Sequence, residues 1–179
     1  MNLLPITDVH THNSMADPLT AVRNLRMSEL SEWLMGNQPG RFSAGVHPWD
    51  AHLPFDYTLL KKAIEDPRMW AVGECGLDKF AQASIKQQTD VFQQHIQLAI
   101  EAKKNLIIHC VKLWDTLLQL KKHYGNTHAE TLWIIHGFRG KQTQALQLID
   151  KGFYLSFNMY RDKDKALCLP YERCFFETD

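Results

Sequence analysis

The sequence predicts an α/β fold whose parallel strands surround a short (β/α)8 barrel. Short β-rich apolar runs alternate with longer segments of helical period, the pattern of parallel strands joined by crossover helices. Residues able to bind metal recur at or just past the ends of successive runs, at His10, His12, Glu74, His109, His136 and Asp179. In TIM-type barrels the active site gathers at the C-terminal ends of the strands. The chain has 179 residues, whereas ~250 is typical of that fold, so the loops must be brief.

The first strand is expected over Leu3–Val9 and a weak second over Ala21–Leu25, followed by one over Phe42–Val46. Gly36–Gly40 reads as a connection, where glycine tolerates left-handed backbone angles. Apolar residues at helical spacing predict a helix over Tyr57–Glu65, and a strand follows over Met69–Gly73. Gln87–Lys104 shows a clear core-facing stripe at Ile96, Ala99 and Ile100. Then come a strand at Leu106–Ile108, a helix over Leu113–His123, a connection at Gly125–Thr127 and a strand over Thr131–Ile135. A helix over Gln142–Lys151 and strands over Phe153–Phe157 and Cys174–Glu177 complete the series. No eighth helix is expected after Asp179, which leaves the first and last strands poorly covered and open to a partner, as in a homo-oligomer.

Composition narrows the function classes. A hydrophobic content of 45% supports a sizeable core in one domain spanning residues 1–179. Lys plus Arg equals Asp plus Glu at 20 each, so no general basic field advertises high-affinity, non-specific DNA binding. No apolar stretch approaches the ~20 residues needed to span a bilayer. Cys75, Cys110, Cys168 and Cys174 lack Cys-x-x-Cys spacing, and no basic stretch followed by an apolar run opens the chain, so a cytoplasmic protein with reduced thiols is expected.

Asp8-Val9-His10-Thr11-His12 sets two imidazoles two residues apart. On a strand both project to one side and can reach one ion. With Glu74, His109, His136 and Asp179 they make four imidazoles and two carboxylates, donors suited to zinc, manganese or magnesium. Six ligands allow two ions if a carboxylate bridges them, and Glu74 is the central candidate for that bridge.

The ordered motifs Asp8-Val9-His10-Thr11-His12, Gly45-Val46-His47-Pro48, Gly73-Glu74-Cys75-Gly76-Leu77-Asp78, Ile107-Ile108-His109, His136-Gly137-Phe138-Arg139-Gly140, Gly152-Phe153-Tyr154-Leu155-Ser156-Phe157 and Glu177-Thr178-Asp179 resemble the signature of TatD-type metal-dependent deoxyribonucleases, among the amidohydrolase-like barrels. The resemblance implies that His10, His12, Glu74, His109, His136 and Asp179 bind two divalent ions, and that the protein cleaves phosphodiesters, typically in DNA. There are two departures. The chain has Val111, with Lys112 adjacent, where many members carry an arginine, which weakens or moves a phosphate contact; and Asp179 is the last residue, where members usually continue.

Such a site would lower the pKa of a water towards ~7. Asp179 would then orient the nucleophile or accept its proton, while Glu74 holds the metal pair. His47, Lys112 and Arg139 are candidate phosphate or leaving-group contacts. His47 could equally cap the turn that Pro48 begins, and the two cations could simply face solvent. Asp78 reads as a cap, and His52, His95, His123 and His128 lack supporting context. Trp33, Trp70, Trp114 and Trp133 read as core or half-buried residues, while Trp49, near the expected mouth, could stack on a base. Two other readings fit the same residues: a hydrolase of a small phosphoester, lactone or amide, and a non-catalytic, oligomeric metal-binding protein.

Overall fold

The computed structural model describes residues 5–125 and 130–179. Residues 3–4 of the expected first strand, residues 126–127 of one connection, and His128 lie outside them. Eight parallel strands run in sequence order: β1 Asp8–Thr11, β2 Ala21–Leu25, β3 Arg41–Ala44, β4 Met69–Asp78, β5 Asn105–Val111, β6 Trp133–Ile135, β7 Tyr154–Asn158 and β8 Cys174–Glu177. The helices are α1 Leu30–Met35, α2 Tyr57–Glu65, α3 Ile85–Glu101, α4 Trp114–Tyr124, α5 Gln142–Asp150 and α6 Lys163–Ala166. The result is a nearly closed (β/α) barrel, as the alternation predicts. No helix among the described residues is long and apolar enough to cross a membrane.

Pleating sorts each strand between two environments. Leu106 and Ile108 of β5, Phe42 and Ala44 of β3, and Leu155 and Phe157 of β7 point outward into the main core beneath the helices. The alternate positions are small or polar. Val22, Ala71 and Ile107 form a separate apolar layer, and above it Asn24, Ser43, His109 and Ser156 point towards the strands' C-terminal ends.

Helix starts follow capping chemistry. Asp56 accepts the Leu59 N–H at the start of α2. Ser84 and Gln87 exchange hydrogen bonds in a capping box, which begins α3 two residues earlier than its apolar stripe suggests. Short α1 and α6 escape periodicity because neither completes two turns.

Three strand expectations need correction, the first being β5, which runs over Asn105–Val111 and so contains His109 rather than ending before it. Pairing begins at Asp8 opposite Ala21, so β1 runs over Asp8–Thr11 and His10 lies inside it rather than beyond it. Likewise β4 continues past Gly73 to Asp78, leaving Glu74 in mid-strand. Gly73 reads as a stop signal in sequence but serves here as a bulge residue. Its φ is +138°, and a Cβ there would lie 2.3 Å from the Ile107 carbonyl oxygen.

The bulge sets the site. From Val72 to Cys75 β4 advances three residues while its partners on β5, Leu106 and Ile108, are two apart. The extra residue shifts the alternation by one, so Cys75 packs in the outer core and Glu74 faces inward.

Among the described residues no ladder pairing joins β8 back to β1. Side chains bridge that seam instead. The buried Asp8 carboxylate accepts the Thr178 N–H at 3.2 Å and the Thr178 hydroxyl at 2.6 Å, and the same hydroxyl lies 2.8 Å from Thr11 Oγ1.

Candidate metal centre

Glu74 stands at the centre of five imidazoles. Its Oε2 lies 3.3 Å from His10 Nε2 and 3.5 Å from His12 Nε2. Its Oε1 lies 2.7 Å from His136 Nε2, 2.9 Å from His109 Nδ1 and 3.2 Å from His47 Nε2. The Glu74 N–H donates to Asn24 Oδ1 at 3.1 Å, and that oxygen also accepts the Ser43 hydroxyl. Three neighbouring strands therefore fix the carboxylate.

Burial alone would raise the Glu74 carboxyl, but the charge of His136 and hydrogen bonds from His10, His109 and His12 outweigh it and hold it far below the usual range. For His136 burial acts downward, and Glu74 and Glu177 together override it and raise the imidazole. The cluster is therefore a stable home for cations. A divalent ion bound there would take the place of protons, because metal-binding imidazoles must be neutral.

The donor set fits such an ion. Nδ1 of fully buried His10 has no hydrogen-bond partner, and neither has Nδ1 of His136, a costly state unless their lone pairs serve another purpose. Donor atoms of His10, Glu74 and His136 lie within 4.8 Å of one another, as do those of His47, Glu74 and His109. His10, His12 and Asp179 form a further such group, and so do His136, Glu177 and Asp179.

Five of the six ligands expected from the sequence, His12, Glu74, His109, His136 and Asp179, line one cleft of about 940 Å³, and fully buried His10 meets them through Glu74 and His136. Asp179 reaches the cleft from the end of β8, with Oδ1 3.5 Å from His12 Nε2, while its main-chain carbonyl accepts from Asn158 Nδ2 at 2.6 Å. Lys112 and Arg139 line the same cleft as exposed cations. His47 caps the turn, as its sequence allows, and also faces the cleft. Nδ1 accepts the Trp49 N–H at 3.2 Å, capping the turn Pro48–Asp50. That bond leaves the proton of the neutral ring on Nε2, so His47 offers a donor to the cleft.

Several residues were not legible as site components. Asp78 caps the following turn, accepting the Phe80 N–H at 2.8 Å, but its Oδ2 also meets His109 Nε2 at 3.1 Å and the Trp49 indole N–H at 2.8 Å. It therefore fixes which nitrogen His109 turns to Glu74. The signal was available, because Glu74, Gly76 and Asp78 share one face of a strand. Glu177 stands 3.8 Å from His136 Nδ1 and accepts the Ser156 hydroxyl. His95 lies on α3, fully buried, where its Nε2 accepts the Val46 N–H at 2.9 Å and Nδ1 pairs with the Val91 carbonyl at 2.8 Å. That bond anchors the loop carrying His47.

His95 yields a pH prediction. Burial lowers its pKa from 6.5 to about 4, against a smaller upward effect of the Val91 carbonyl. Between those values the unfolded chain binds the extra proton, so this contribution is full above pH 6.5 and is lost as pH falls towards 4. It amounts to about 3 kcal/mol. Urea denaturation at pH 7 and pH 4 should show the wild type losing about that much more than His95→Gln. Parallel losses in the two proteins would refute the assignment.

Comparison with known proteins gives three findings. A family described as TatD related DNase matches residues 8–179. The chain is 32% identical over 147 residues to the metal-dependent hydrolase YcfH of Escherichia coli K12, itself uncharacterized, covering 77% of this chain and 54% of YcfH. It is 28% identical over 168 residues to the 3'-5' ssDNA/RNA exonuclease TatD of Klebsiella pneumoniae, covering 87% and 63%. The chain thus spans a little over half the length of these curated relatives. Among solved structures, the TatD homolog YjjV of Escherichia coli superposes with a TM-score of 0.68 at 20% identity, covering 89% of this chain and 68% of that one.

Proposed function

The chain belongs to the TatD-related DNase family, and we propose that it is a metal-dependent hydrolase that cleaves phosphodiester bonds in DNA. The observation that carries this reading is the Glu74 carboxylate, whose two oxygens face different imidazole sets. A carboxylate so divided suits a bridge between two divalent ions, with His10, His12, His109, His136 and Asp179 as the remaining ligands. Zinc, manganese and magnesium all accept such donors. When bound, the ions supply acidified water and charge neutralisation at phosphorus.

The chain's own groups divide the remaining work. Asp179 is exposed at the cleft and close to His12, so its carboxylate can take a proton from the attacking water. His47 presents an Nε2–H donor to a non-bridging phosphate oxygen. Arg139 can grip phosphate through paired hydrogen bonds, and Lys112 adds a movable point charge. These two cations give local attraction for a polyanion in a chain whose net charge is +0.

The test is release of nucleotides from single- and double-stranded DNA. Treatment with a chelator should abolish release, and adding back manganese, magnesium or zinc should restore it. Hydrolysis of small phosphoesters without DNA cleavage under any of these ions would reassign the substrate.

A further inference from the structure

Trp49 differs from the other four tryptophans, which are buried or half-buried. Its indole is 59% exposed, whereas Trp33 and Trp133 are 3% and 1% exposed. The exposure is not looseness, since the ring is tethered at its polar edge. Nε1–H donates to Asp78 Oδ2 at 2.8 Å, and the backbone N–H donates to His47 Nδ1 at 3.2 Å. The rings of His47 and His109 stand near-perpendicular to the indole, with centroids 4.9 and 6.5 Å away. Its hydrogen-bonding capacity is thus spent towards the imidazole cluster, while much of its apolar surface stays in solvent beside the cleft.

The surroundings identify what would cover that surface. Leu53, Pro54 and Phe55 continue the same wall of the cleft as Trp49, and Leu53 is half exposed. Lys112 and Arg139 belong to the same cleft. An aromatic face next to a polar phosphate-handling centre matches the two halves of a nucleotide. We propose that Trp49 forms a nucleobase subsite, stacking on the base of the nucleotide whose phosphate meets the Glu74 cluster.

This subsite rests on the phosphodiesterase reading and gives it a substrate preference. Stacking uses the π-face that every base carries, and the side chains of Leu53, Pro54 and Phe55 bring no hydrogen-bonding group to read a base edge. The subsite therefore selects nucleotides over other phosphate esters. It also favours single strands and frayed ends, where the base is free to leave its own stack.

Equilibrium dialysis in manganese buffer with dAMP and with 2-deoxyribose 5-phosphate tests the proposal on wild type, Trp49→Ala and Trp49→Phe. Wild type should bind dAMP about tenfold or more tighter than the sugar phosphate. Trp49→Ala should bind the two within about twofold. Trp49→Phe, which keeps a ring but loses the bond to Asp78, should retain most of the preference. No preference in wild type, or a preference that survives in Trp49→Ala, overturns the subsite. A wild type that shows the Trp49-dependent preference yet releases no nucleotide from DNA supports the subsite and sinks the nuclease reading alone. Cleavage of DNA without that preference does the reverse.

Discussion

Glu74→Gln is expected to lower metal-dependent hydrolysis roughly a thousandfold and to reduce the number of divalent ions the protein retains. Glutamine is nearly isosteric and keeps the backbone N–H that Asn24 accepts, so β4 and its bulge should survive. What disappears is the negative charge on which His10, His12, His47, His109 and His136 converge. A neutral amide offers one oxygen and no charge, and cannot bridge two cations. Loss of several kcal/mol of transition-state charge stabilisation is typical for such a site, and about 4 kcal/mol corresponds to a thousandfold. Rates on single-stranded DNA, with bound metal measured by elemental analysis after dialysis, check both parts. Equal rates and equal metal content in the two proteins would remove Glu74 from the mechanism and point to a contaminating nuclease or another site. Far-ultraviolet circular dichroism separates a local loss from misfolding.

Asp8→Ala should cost about 3 kcal/mol of stability and loosen the ligand side of the seam. Asp8 is buried, and burial raises its pKa despite hydrogen bonds from Thr178 and His10 that act downward. Removing the carboxylate strands the Thr178 N–H and the His10 N–H held at 3.3 Å, and leaves the Thr178 hydroxyl only Thr11 Oγ1, 2.8 Å away, as a partner. Each buried donor left unsatisfied costs about 1–3 kcal/mol. The same bonds tie β8, which leads to Asp179, to β1, which contains His10 and leads to His12. Metal affinity should therefore fall together with stability. Urea denaturation in chelator isolates the stability effect, and Thr178→Val, which keeps its N–H bond, should lose about half as much. A melt of Asp8→Ala within about 0.5 kcal/mol of wild type would show that the seam is held by other contacts.

The fold and the candidate ligands were legible in the sequence to different depths. Alternation of β-rich runs with helical periods determined the parallel architecture, because each strand must bury its outward face under a crossover helix. The bounds of α2, β2 and β8 match the expected Tyr57–Glu65, Ala21–Leu25 and Cys174–Glu177. The pair His10 and His12 was a weak signal by two-residue periodicity alone and gained weight only from Glu74, His109, His136 and Asp179 further along the chain. Asp78 and Glu177 share that periodicity with Glu74 and Asp179, yet Asp78 had a bland explanation as a cap and Glu177 stood simply as the last residue of a strand.

Three features depended on the tertiary structure. Which face of β4 carries Glu74 follows from pairing with β5, since one extra residue between Val72 and Cys75 reverses the side of everything beyond it. The closure of β1 on β8 spans almost the whole chain and is made by the side chain of Asp8, which no local pattern can announce. His95, silent in sequence, acts through a backbone N–H 49 residues away. The sequence by itself determined the alternation, the layers and the ligand types, because these follow from short-range period and side-chain chemistry. Only the tertiary structure decided the register that turns Glu74 inward and the contacts that orient the imidazoles, because register is a relation between strands and is written in neither one alone.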